Sequence, residues 1–325
     1  MSPRPSRRPV LLAGAFTALA LAAGAACAQA QWPAKPIHFV VPFSAGGAND
    51  LMARAAADGA SKALGQPIVV DNKPGAGAML GTDVVAKSAP DGYTFLVSAA
   101  GVVSNSMIRK VPYKDSDLVP VAMIGLAPSV IVAPANSPYK DLTDFVNKSK
   151  QGQGLHFATA GTGSTPHFVE GLLEKNYGAK LDVVPYKSGS ESITAVLSGQ
   201  VDATSEASIV VLPYIKAGKL KALATTWTQR ISAYPELPTA AELGFKDIRI
   251  AHWAGVHAPA GTPPAILDKM AEAVDKAMKD PATVQRLKGM GIEPMGGTRA
   301  SFVKFVDEER ARLGAVVKAT GMKEE

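Results

Sequence analysis

From Ile37 onward, short apolar runs alternate with helix-patterned stretches, and a longer apolar segment interrupts the alternation twice. IHFVV, PIVVD and YTFLVS have the length of buried strands. Between them Leu51, Met52, Ala55 and Ala56 recur at helical spacing toward Leu64, and a second helix is predicted over 79–88. Asn49 or a neighbour caps the first of these helices. Strand–helix–strand units with short connections build a parallel sheet with right-handed crossovers. VPVAMIGLAPSVIVAP, residues 119–134, is long for one strand and predicts a passage from one lobe to another. A second alternation follows: LHFATA, LDVVPY, VDATSEA and KLKALATT, with helices predicted over 166–177, 191–197 and 209–216. IAHWAGVHAPAGTPP predicts the return passage. Helices over 265–278, 282–290 and 299–319, with a short strand GIEPM between the last two, complete the chain. Two passages place both chain ends in one lobe. The expected organisation is α/β, with lobe 1 made of 31–128 plus 253–325 and lobe 2 of 129–252. Each lobe is a mostly parallel sheet flanked by helices, and closure flexes the two crossover strands.

Residues 1–30 stand apart from this pattern. Arg4, Arg7 and Arg8 precede an apolar run over 10–24, and Ala28-Gln29-Ala30 offers a small-x-small cleavage site, so a signal peptide cut near Ala30 is expected. Ser6-Arg7-Arg8 leaves the Sec or twin-arginine route open. Cleavage removes the only cysteine and three of the 34 basic residues, leaving 31 against 28 acidic ones, or +3. A chain of about 295 residues without a thiol holds itself together by burial alone, and at that length one core divides into two. No block of like charge or basic–aromatic stretch points to nucleic acid, and no later run reaches membrane-spanning length. A soluble, periplasmic monomer is expected.

Two glycine turns lie where strands lead into helices: Ser44-Ala45-Gly46-Gly47 and Gly161-Thr162-Gly163-Ser164-Thr165. In open parallel sheets ligands gather at such places, because helix N-termini offer unpaired N–H groups and a partial positive charge. Pro166 suits the first helical position, where its missing N–H costs nothing. Neither turn carries Lys or Arg, and neither matches G-x-x-x-x-G-K-[ST] or G-x-G-x-x-G, which favours a carboxylate over a phosphate. Four such hydrogen bonds at ~1.5–3 kcal/mol each, less at least ~4 for association, leave one lobe a weak binder. Two lobes together reach about −8 kcal/mol, the micromolar range. Asp50, on the first helix, and Thr159, at the end of LHFATA, adjoin the turns and complete this set of candidates.

Other chemistry is sparse. His38 and His156 fall inside strands; His252 and His257 have no carboxylate at metal-ligand spacing, so no metal or other cofactor is expected. His167 opens the helix after the second turn and either faces the cleft or caps the turn. Ser98, like Ser104 and Asn105, follows the third strand and either lines the cleft or packs. Glu206 either meets an ammonium or hydroxyl of a ligand or faces solvent. There is no G-x-S-x-G elbow and no assembled acid–base pair, so no catalytic residue is assigned. A hydrolase or isomerase built on Ser164 and His167, and a sensor subunit for a membrane kinase, are the rival readings.

WPAKPIHFVVPFSAGGANDLMAR, VVDNKPGAGAMLGTDVVAKSAPDGYT, FATAGTGSTPHFVEGLL, VPYKSGSESITAVLSGQVD, and PELPTAAELGF with HWAGVHAPAGTP carry a resemblance over nearly the whole chain. In these blocks it resembles the Bug-type periplasmic solute receptors of tripartite tricarboxylate transporters. The resemblance implies a type II Venus flytrap fold and capture of a small organic acid or amino acid for a membrane permease. It also implies that backbone groups of Phe43–Gly47 and Gly161–Thr165 hold a carboxylate, partly through water. Asn49, where the family often has threonine, and Glu206, near a frequent aspartate, depart from the pattern and leave the ligand's far end open.

Overall fold

The computed structural model of the chain describes residues 32–323. The expected signal peptide, 1–30, lies outside the described residues.

Three strands open the fold: β1 (Ile37–Val41), β2 (Ile68–Asn72) and β3 (Thr94–Ser98), with β1 parallel to both others. They are joined by α1 (Ala48–Leu64) and by α2 (Met79–Ala86), which a 3-10 turn at Ala76–Ala78 precedes. α3 (Ala100–Ile108) follows β3; it carries Val102 and Val103 inward, and the sequence reading passed over it. β4 (Leu118–Pro134) then runs seventeen residues without a break. What reads in sequence as two apolar runs is one strand that changes partners. Leu118 to Pro128 pairs antiparallel with β9 (Ala251–Pro259), and Ser129 onward pairs with β7 (Ala203–Ala207) and β8 (Leu220–Thr225). A proline cannot donate to a ladder. Pro120 accordingly falls at a register irregularity and Pro128 at the handover.

Around the second half of β4 sit α4 (Leu142–Ser149), β5 (Leu155–Thr159), α5 (Thr165–Tyr177), β6 (Leu181–Pro185), α6 (Gly189–Leu197) and α7 (Ser208–Lys216). β5 is parallel to both β6 and β7. After β9 come α8 (Pro264–Lys279), α9 (Pro281–Gly289), β10 (Glu293–Pro294) and α10 (Arg299–Thr320). The path of strands, β2-β1-β3-β9-β4-β7-β5-β6, is continuous because β4 belongs to both halves of this two-lobed α/β fold.

One core packs the alanine face of α1 (Ala53, Ala56, Ala60) and Met270 and Val274 of α8 against Phe39, Phe95 and Val256. A second gathers Phe145, Phe157, Phe168 and Leu173 of the β5–α5 side. It runs without interruption into Leu126 and Trp253 of the crossing strands and Phe302, Leu313 and Val317 of α10. The last helix thus lies across both halves. Where β4 changes partner, Thr226 donates through its hydroxyl to Ile250 O at 2.6 Å, and Ser129 and Ser205 join their hydroxyls at 2.7 Å.

Candidate functional site

Parallel strands lift their carboxyl ends toward one edge of the sheet, so the helices that follow all begin there. Among the described residues, the starts of α1, α2, α3, α5, α6 and α7 line one cavity of about 440 Å³ between the lobes. Phe43, Ser44, Ala45, Gly46 and Gly47 form one wall, and Thr162, Gly163, Ser164 and Thr165 face them; Glu206 closes the floor. Helix N-termini carry partial positive charge, which favours an anion near them.

The other candidates stand behind these walls. Asp50 is buried: its Oδ2 accepts from the Gly46 N–H at 2.9 Å and from Arg54 Nε at 3.0 Å, and its Oδ1 from Asn72 Nδ2 at 2.9 Å. The same Asn72 amide donates to Phe43 O at 3.0 Å. Burial works to raise the Asp50 carboxyl, but Arg54, the Gly46 N–H and Asn72 together hold it below its ordinary value. Asp50 therefore shapes the first turn from behind. Ser98 Oγ bonds Gly255 O at 2.9 Å and His257 Nδ1 at 2.8 Å, stitching β3 to β9. Thr159 is buried, its carbonyl accepting from Tyr186 N at 2.8 Å. Gly161 turns its carbonyl to Ser164, accepting from Oγ at 2.7 Å. His167 caps the second turn: its Nδ1 accepts from the Gly163 N–H at 3.2 Å, and burial lowers its pKa. Ser164 and His167 each bond the turn rather than one another, which is not the contact a nucleophile and its base require.

These bonds also revise which amides are available. The N–H groups of Gly46, Gly163 and Ser164 already have partners: Asp50 Oδ2, His167 Nδ1 and Gly161 O. The glycines serve by conformation, Gly46 at φ 82° and Gly163 at φ 76°, and Gly163 also leaves room for Ile108. The amides that precede the first i→i−4 bond are those of the first turns themselves: Ala48, Asn49 and Asp50 in α1, and Thr165 and His167 in α5. α5 begins at Thr165, so Pro166 stands second in the helix. Asn49 does not cap α1, whose N-cap is Gly47. It lies inside the helix, lines the cavity, and donates to Trp253 O at 3.0 Å and Ser98 O at 3.4 Å.

Sequence reasoning missed several wall residues. Pro74 to Ala78, Ala99 to Gly101, and Lys187 to Ser190 occupy the same strand-to-helix position as the two glycine turns, and that position is the signal that identifies them. Lys187 brings a cation to a cavity whose two glycine turns carry none. At its edge Arg109, at the end of α3, donates from Nη2 to Thr162 O at 2.5 Å and ties the two lobes across the cleft. His252 lines the floor beside Glu206, with Nε2 and Oε2 4.0 Å apart. Burial pushes the Glu206 carboxyl up to about 7 and the His252 imidazole down to about 4. Among the described residues no cluster of His, Cys, Asp and Glu is arranged to hold a metal, and no helix is long and apolar enough to cross a membrane.

Comparison with known proteins places this arrangement. Residues 52–322 match the family model described as tripartite tricarboxylate transporter family receptor. Protein BugT of Bordetella pertussis is 36% identical over 321 residues, 97% of this chain and 98% of its own length. Among solved structures, MatC from Rhodopseudomonas palustris with bound malate superposes with a TM-score of 0.80 at 31% identity, covering 88% of this chain and 100% of that one. Rpa4515 of R. palustris with adipate gives 0.84 at 29%, covering 90% and 99%.

Proposed function

This chain belongs to the tripartite tricarboxylate transporter receptor family, and from that premise we propose that it captures a small carboxylate-bearing metabolite between its lobes and presents it to a membrane permease. The observation that carries this reading is the convergence of helix starts from both halves on one cavity. A carboxylate there takes hydrogen bonds from the first-turn amides of α1 on one side and of α5 on the other, so the guest bridges the cleft and favours the closed form. The lobes divide at Pro128/Ser129 and His252/Trp253, close to where β4 passes from β9 to β7. Malate in MatC and adipate in Rpa4515 support an organic acid as the guest class. The receptor works in the periplasm as a monomer, after its leader is cleaved near Ala30, and it releases its guest chemically unchanged.

Thermal denaturation of the purified protein with mono-, di- and tricarboxylates, amino acids and neutral analogues tests this. A ligand at a hundredfold excess over its Kd stabilises the fold by about 2.7 kcal/mol. Acids are expected to raise Tm and their amides or alcohols to leave it unchanged; equal shifts from neutral analogues overturn the reading.

A further inference from the structure

The floor of the cavity holds an unusual side-chain pair. Glu206 is the penultimate residue of β7, with only 6% of its surface exposed, and its Oε2 accepts from the N–H of Ala207 at 3.4 Å. The carboxyl is pressed on the first residue of α6: a Cβ on Gly189 would lie 2.3 Å from Oε1 and 2.8 Å from Oε2. The starts of α6 and α7 therefore already face a carboxyl that belongs to the protein. Beside it, His252 Nε2 is buried without a hydrogen-bond partner among the described residues. The other charged groups of this region are Lys187, on the approach to α6, and Arg109, at the cleft edge.

We propose that Glu206 and His252 form the subsite for the ligand's far end, and that Glu206 occupies the position a second ligand carboxylate would take, so the guest is a carboxylate whose other end is an ammonium rather than a second acid. This rests on the reading of the α1 and α5 starts as the carboxylate site. A second carboxylate entering here meets Glu206 at close range, and two carboxylates in one site cannot both ionise freely. An ammonium has the opposite fit. It brings N–H donors to the Glu206 oxygens, beside the partnerless His252 Nε2, and its positive charge favours the ionised form of that buried carboxyl.

The test is a calorimetric series of three- to six-carbon straight-chain acids ending in methyl, hydroxyl, ammonium or a second carboxylate. The ammonium-ended member is expected to bind at least about tenfold tighter than its chain-matched diacid, a difference of about 1.4 kcal/mol. Glu206→Gln is expected to bring the ratio of ammonium-ended to diacid affinity to within about twofold of one, whatever its effect on the affinities themselves. Gly189→Ala, which displaces the Glu206 carboxyl without removing it, is expected to act in the same direction. A diacid that binds tightest, or an ammonium preference that survives Glu206→Gln in a folded protein, overturns the subsite alone. Failure of every acid to bind overturns the carboxylate reading with it.

Discussion

Glu206→Gln also tests the electrostatics of the floor through stability. In the folded chain burial holds the carboxyl protonated up to about 7, whereas its ordinary value is 4.5. Between those pH values the folded state keeps a proton that the unfolded chain has released, so raising the pH weakens the fold. The interval is worth about 3 kcal/mol at ~1.4 kcal/mol per pH unit. His252 has the opposite sign. Its imidazole is held down to about 4 against an ordinary 6.5, so its contribution is present above 6.5 and lost as the pH falls toward 4. From pH 4.5 to 6.5 the two slopes oppose one another, and substituting either exposes the other. Urea unfolding followed by tryptophan fluorescence, at half-unit steps from pH 4.5 to 8, measures this. The variant-minus-native difference in unfolding free energy is expected to shift in favour of Glu206→Gln by about 3 kcal/mol across pH 4.5 to 7, levelling above that. His252→Gln is expected to give the mirror-image trend between 4.5 and 6.5. A difference curve for Glu206→Gln that stays within about 0.5 kcal/mol throughout refutes the argument, since the carboxyl would then ionise as it does in the unfolded chain.

Three further outcomes follow from the walls. Arg109→Ala removes the cross-cleft bond to Thr162 O and is expected to weaken ligand binding about tenfold, mainly through faster dissociation seen in stopped-flow displacement. Asp50→Ala strips the brace from the first turn while leaving the cavity wall chemically intact. A loss of about 1–3 kcal/mol in unfolding free energy, with weaker binding, is expected by denaturation and calorimetry. Ser164→Ala loses the hydroxyl bond to Gly161 O, and it is expected to cost about 1 kcal/mol of unfolding free energy by denaturation and to leave any guest bound, as measured by calorimetry.

The alternation of strands and helices was legible because its signals are local: IHFVV, LHFAT and the α1 pattern declare their elements within a few residues. The two glycine turns were legible for the same reason, since glycine is the residue that most readily takes the φ of Gly46 and Gly163. What escaped was convergence. Lys187 to Ser190 carries no dense glycine run, and His252 sits on a strand far along the chain, so only the sheet brings them beside Glu206. Asp50 and His167 were recognised as neighbours of the turns, but their direction was not readable. Whether such a side chain faces the ligand or steadies the loop from behind depends on partners such as Asn72, which is distant in sequence. Residues 119–134 read as a passage between lobes, and β4 makes that passage; only its continuity as one strand was not readable, because a strand that serves two sheets in succession looks too long for either.

α10 gives the molecule a mechanical unity that its outline conceals. Phe302 packs on Trp253 near the start of this helix, and Leu313 and Val317 farther along it belong to the same apolar cluster; Thr320 at its end lies against Gly171 of α5. Neither half-molecule owns that cluster. Cutting the chain at the crossings would strip each fragment of part of its interior, so the two halves are expected to unfold together.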